Sequence, residues 1–222
     1  VKEGFVPVLI KADDEILWEC LIMNSDPDSD GEDDFAFDPD KVAEYRKKML
    51  SAPVENSKAV LEEMIGQRKE EAEDDDMDWD EEILGEMEGG YDNRRFSSYW
   101  NSDNSDNNMT YPLILAKIPV KNPWEIFAYL PFGGWNECPN TPELMAVAKY
   151  WFEQHGAVPA AMSHDELEFL LPAPVSKEMA MEVATEQYGF CPDIVDQEQD
   201  DPTVGNLADV LWQSTVWYFW WD

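Results

Sequence analysis

Positive charge and cysteine are both scarce in this sequence. Only 15 of its 222 residues are Lys or Arg, against 49 Asp and Glu, which leaves a net charge of −34. So acidic a chain repels phosphates, and neither direct nucleic-acid binding nor attachment to an anionic membrane is expected. Three cysteines, Cys20, Cys138 and Cys191, are too few and too odd a set for a disulfide scaffold and fit a reducing cytoplasm. No window approaches ~18 consecutive apolar residues, so no transmembrane helix is expected. The opening VKEGFVPVLIKADDE lacks the apolar core and cleavage site of a signal peptide. There is no phosphate-binding glycine motif, no HExxH and no serine-hydrolase elbow, which removes the commonest signatures of catalysis.

What the chain has in abundance is unevenly placed acid. Residues 1–108 carry 32 acids and 11 bases, and residues 109–222 carry 17 and 4. The excess gathers in runs such as NSDPDSDGEDDFAFD and KEEAEDDDMDWDEE, which read as local acidic segments rather than a uniformly salt-adapted surface. The composition divides the chain into a leading strand and helix (1–23), an acidic stretch of helices and irregular connection (24–108), and a packed domain (109–222). The expected class is α/β or α+β, a mixed sheet flanked by helices with an acidic insertion in the N-terminal half.

The second half is organised around NPWEIFAYLPFGGWNECP, residues 122–139. Glu125 to Leu130 alternates like a half-buried strand, Pro131 stops it, and Gly133-Gly134 frees a turn that displays Trp135, Asn136 and Cys138. Thr141-Pro142 opens a helix, and Ala157 to Met162 reads as a further strand. Strand, helix and strand in this order predict a right-handed crossover between parallel strands, with the Gly-Gly loop at a carboxyl edge. GFVPVLI is a first strand, with Pro7 pointing to an edge position or irregular pairing. Asp13 or Asp14 caps a helix, Asp38-Pro39 opens another, and a third starts near Asn56 and dissolves into the acidic run. YPLILAKIPV is a strand, a return strand follows the turn at Ser163–Glu166, and Ser176 caps a helix closing at Gly189. The final VWYFWW presents aromatics to both faces and is expected as an interior strand.

PWEIFAYLPFGGWNECP, AKYWFEQHGA, the His164-Asp165 pair, EQYGFCPDIV and the closing WYFWWD together resemble the bacterial domain-of-unknown-function 4253 family. The resemblance covers about residues 109–222, with GFVPVLI as its leading strand, and it implies a domain and a bacterial origin without implying a chemistry.

Three constellations could carry chemistry. Asp26, Asp28 and Asp30, followed by Gly31, match the first half of a calcium loop, but position twelve is Phe37 where a bidentate Glu is needed. Calcium is therefore a minor alternative, and no cofactor is expected. Cys138 and Cys191 with His164 could converge as zinc ligands, or Cys138 with His164 and Asp165 as a nucleophile and its base. Both cysteines precede proline at corners, where small inert thiols are common. Trp135 and Asn136 are the better candidates for contacting a ligand or partner chain. The expected role is a non-catalytic cytoplasmic interaction module whose acidic surface meets a basic protein, as an inhibitor or immunity-like protein would. The competing expectation is an enzyme or metal protein built on the Trp135–Cys138 loop and His164.

Overall fold

The computed structural model describes residues 4–29, 36–89, 93–99, 110–197 and 203–222. A five-stranded mixed sheet forms its centre, in the order β2-β1-β3-β4-β5: β1 (Val6–Lys11), β2 (Leu113–Ile118), β3 (Val158–Met162), β4 (Glu166–Leu170) and β5 (Val216–Trp220). Only β1 and β3 run parallel; the other neighbours are antiparallel. Helices α1 (Glu15–Ser25), α2 (Pro39–Ser51), α3 (Ser57–Asp74), α4 (Thr141–His155), α5 (Ala180–Phe190), α6 (Asp193–Asp196) and α7 (Val204–Leu211) complete an α+β fold.

Register explains the two faces of the sheet. One row across it reads Ile114, Ile10, Met162, Leu167 and Phe219; the adjacent row reads Leu115, Leu9, Ala161, Glu168 and Tyr218. The first row belongs to the helix-covered side. There Trp151 of α4 stacks on Phe219 at 5.3 Å between centroids and meets Phe169, Phe190 and Trp217 edge-on. Each such aromatic pair adds about 0.5–1.5 kcal/mol beyond area burial, so this cluster is the energetic centre of the core. Tyr150 and Trp151 also donate to the buried Glu186 of α5, which ties α4 to α5 by polar contacts.

The second row is crossed by a strap, residues 93–99. Its Arg94 N–H donates to Ser214 Oγ, and the Arg94 guanidinium lies over the Tyr218 ring. Ser97 N–H and Ser98 Oγ donate to the fully buried Glu168 carboxylate, and Tyr99 accepts from the Tyr111 N–H. Upstream, Gly89 N–H is held by the buried Asp209 of α7. The aromatic-rich connection is thus pinned by buried acceptors in the domain that follows it.

Several expectations are corrected. Glu125–Leu130 is not a strand: Pro123–Ala128 is a 3-10 helix, started by Pro123 and the Asn122–Glu125 capping contacts and closed at Tyr129. The apparent alternation failed as a guide because Ile126, Phe127 and Ala128 are buried consecutively. The parallel partner of β3 is therefore β1, and no crossover runs through α4. β1 is an interior strand. Ala12 N–H bonds to Pro112 O on the β2 side, so alternation turns the Pro7 nitrogen toward β3, whose pairing begins only at Leu9. β5 is an edge strand, not an interior one. Its aromatics are still covered, Trp217, Phe219 and Trp221 by helices, while α6 and Cys191 shield its open side through a Cys191 Sγ bond to Trp220 O.

In the helices, Asn140 rather than Thr141 caps α4. α5 starts at Ala180 and continues through Gly189, where a Cβ would lie 2.7 Å from Ile65 Cγ1; this glycine permits α3 and α5 to touch. α3 persists to Asp74 instead of dissolving, because Ala72 packs into the core and Trp79 and Ile83 of the following π-helical turn (Trp79–Leu84) fold back beside it. The acidic run Glu70–Glu82 is therefore part of the packed structure.

Candidate functional site

The Gly-Gly loop is locked from several sides. Gly133 and Gly134 adopt φ of 80° and 78°, and a Cβ at Gly133 would come within 2.2 Å of Pro139 O. Gly134 N–H reaches Cys138 O and Pro139 O, and Cys138 N–H reaches Trp135 O, closing the loop on itself. Asn24, at the end of α1, donates to Pro131 O and Gly133 O at 2.6 and 2.9 Å. Trp135 folds back half-buried onto the core, with its indole N–H enclosed. Asn136 is exposed in the left-handed region at φ 46°, and its amide donates to Asp222 O. Of the two displayed residues, Asn136 is exposed and Trp135 half-buried.

Cys138 is 4% exposed, and burial together with the nearby Cys191 pushes its thiol well above the ordinary range. Cys191 is likewise pushed up by burial, and its Sγ is taken by Trp220 O at 3.0 Å. Neither is poised as a thiolate at neutral pH. His164 belongs to a different cluster. Its backbone N–H and ring Nδ1 both meet Asp14 Oδ2, at 2.8 and 3.0 Å, and its Nε2 lies 3.5 Å from Asp165 Oδ2. The Asp14 bond raises the imidazole above its usual value against the opposing effect of burial, with Asp165 assisting. Burial alone would raise Asp14, but its bonds from the His164 ring, Leu17 N–H and His164 N–H outweigh that and hold the carboxyl low.

Asp165 does less for the imidazole than for its surroundings. It accepts from Ser163 Oγ and from the Trp220 indole, and its carbonyl takes Trp221 N–H. The corner thus ties the β1–α1 junction to β5. The loop and the corner do share one end of the sheet, joined through Trp220–Asp222, but no hydrogen bond links Cys138 to His164. Among the described residues, no group of three or more His, Cys, Asp or Glu is arranged to hold a metal. His155 at the end of α4 packs edge-on against Trp217, and burial lowers its pKa.

The calcium half-loop is put to another use. Asp26 is buried and accepts from the backbone of Asp28 and Asp38, while Lys41 pairs with both Asp26 and Asp28. The Lys41 ammonium is the positive charge that these two carboxylates meet. Asp30 lies outside the described residues.

Concavity is found elsewhere, along α3. A cavity of about 350 Å³ separates α3 from the loop and is lined by Glu63, Met64, Arg68, Asn136, Cys138 and Phe190 among others. A larger one, about 680 Å³, lies beyond Arg68. Its walls are Glu71, Asp75, Glu81, Glu82 and Asp196, and its floor is Ala72, Met77, Ile83 and Tyr188. Arg68 is the one cation among its lining residues, and its Nη1 is held by Glu71 at 2.9 Å and Glu137 at 2.8 Å. Burial raises the Asp196 carboxyl, and the Tyr188 hydroxyl donates to it. Four of these acids lie in the run KEEAEDDDMDWDEE; what sequence reading missed is that the run folds back over an apolar floor and meets Asp196 of α6.

No curated protein and no solved structure matches the chain. The family model described as a domain of unknown function (DUF4253) matches residues 114–222. That segment holds β3, β4, β5 and all of β2 but Leu113, with every residue of the loop and of the His164-Asp165 turn, so the likeness to the DUF4253 family is carried by residues 114–222.

Proposed function

We propose that the protein is a non-catalytic interaction module that captures a basic protein through the acidic cavity beside α3. One observation carries the reading: five carboxylates ring an apolar floor, with Arg68 already neutralised by Glu71 and Glu137. A Lys or Arg side chain would lay its aliphatic stem on Met77 and Ile83 and bring its charge to the rim. The net charge of −34 would speed encounter with such a partner. This is the behaviour of an inhibitor or immunity-like protein acting on a cationic toxin or nuclease in a bacterial cytoplasm. An enzymatic reading finds less support, since the candidate thiols are buried and His164 is engaged by carboxylates.

The test is a calorimetric titration with an arginine-rich peptide. Neutralising Glu71, Asp75, Glu81 and Glu82 to their amides is expected to weaken binding at least roughly tenfold more than neutralising the exposed Asp13, Glu44, Glu153 and Glu178. Equal losses from the two quartets would mean that net charge alone attracts the peptide and that the cavity is not the site.

A further inference from the structure

The outer edge of β2 is open in a way the other sheet edge is not. Ala12 N–H bonds to Pro112 O, so the even-numbered residues of β2 turn their backbone groups to β1, and Leu113, Leu115 and Lys117 turn theirs outward. Among the described residues no hydrogen bond reaches those outward groups. The ladder ends at Pro119, which has no N–H to give. Both faces of this edge are apolar and exposed, with Leu115 at 58% and Ile114 at 41%. Monomeric proteins usually blunt such an edge with charge or proline inside the strand, and here Lys117 is the only charge.

Charge and register identify the occupant. In a chain of −34, residues 4–12 and 110–121, which include β1 and β2, contain no Asp or Glu and carry Lys11, Lys117 and Lys121. This is where two such acidic chains can approach without opposing carboxylates. The strand is also self-complementary. An antiparallel pairing centred on Leu115 sets Leu115 against Leu115 of the second copy and Leu113 against Lys117, each pair exchanging its two backbone bonds. Ile114 then faces Ala116, a large residue against a small one, and no lysine lies opposite a lysine.

We propose that β2 is a homodimerisation edge, joining two copies into one continuous ten-stranded sheet, since each contributes five strands. The junction is smaller than a standard interface of about 1,600 Å², so the dimer is weak, forming at roughly micromolar concentrations or above. It is also strengthened by salt, because screening relieves repulsion between the acidic bodies, the opposite of what capture of a basic partner would show.

Sedimentation equilibrium on the full chain tests this, from low salt to about 1 M salt, where the Debye length is about 3 Å. Wild-type protein is expected to self-associate more strongly at high salt. Leu115→Lys and Leu115→Asp should each weaken association roughly tenfold or more, and mixing the two should restore a heterodimer. Leu115 is exposed, so both variants should melt close to wild type. A wild-type chain that stays monomeric to millimolar concentration overturns the proposal. So do variants that still self-associate, or a mixture that fails to pair.

Discussion

Replacing Glu168 tests whether the strap is held by one buried carboxylate. Glu168 is 0% exposed and receives Ser97 N–H at 2.8 Å and Ser98 Oγ at 2.5 Å, with Ser97 Oγ more distant at 3.3 Å. Hydrogen bonds to a charged group contribute about 1.5–3 kcal/mol each, so two strong ones set a ceiling of roughly 3–6 kcal/mol for Glu168→Ala. Removing the carboxylate also removes its own desolvation cost, which lowers the expected loss to about 2–4 kcal/mol. Glu168→Gln keeps the shape and one acceptor oxygen, and Ser98 can rotate to accept from the new amide, so its loss should be about 1–2 kcal/mol. Urea denaturation gives the two stabilities, and amide exchange at Ser97 and its neighbours reports whether the strap has loosened. If Gln destabilises as much as Ala, or if exchange within residues 93–99 is unchanged in the Ala variant, the carboxylate is not what secures the strap.

Two further perturbations follow from the same geometry. His164 has its folded-state pKa raised by Asp14, so its contribution is full below the ordinary value of 6.5 and is lost as pH rises through the folded value. The stability difference between wild type and His164→Gln should shrink from acidic to alkaline pH; a pH-independent difference would contradict the ion pair. Asp14 has the opposite sense, stabilising above its ordinary 3.8 and losing that contribution as pH falls through its lowered folded value. With buried thiols pushed well above 9.0, Cys138 and Cys191 should react with a thiol reagent only as fast as the fold opens, and denaturant should release both. Rapid labelling of either in the native protein would bring the nucleophile reading forward.

Local signals in the sequence were reliable where one residue type forces one geometry. Gly133, Asp38-Pro39 and the Ser163–Glu166 turn are such cases, and β2, β3 and β4 follow from apolar runs bounded by turn residues. Glu125–Leu130 misled because a period of two is indistinguishable from a short helix buried all round, and the Asn122–Glu125 capping pair was the better signal. β5 misled for a related reason. Aromatics on both faces require cover, yet that cover can come from helices and the strap as well as from strands, so an edge position satisfies the pattern. Among the candidate residues, Asn136 was legible as exposed and Cys138 as a buried thiol at a corner. His164 does meet Asp165, at 3.5 Å, but not Cys138, and its nearer partner was missed because Asp14 is 150 residues away and enters only as a helix cap. Of the acidic cavity, the run that holds Glu71, Asp75, Glu81 and Glu82 was legible, while its apolar floor and the contribution of Asp196 from α6 were not.

The central claim is that the cavity beside α3 receives the cationic partner, and hydrogen-exchange footprinting of the arginine-rich peptide complex tests it most directly. Protection is expected to rise over residues 68–84 and 188–197, which supply the cavity wall and floor, and to stay unchanged over β2 and the Gly133–Pro139 loop. Protection spread evenly over every acidic segment, or centred on Asn136 and the His164 corner, would contradict it.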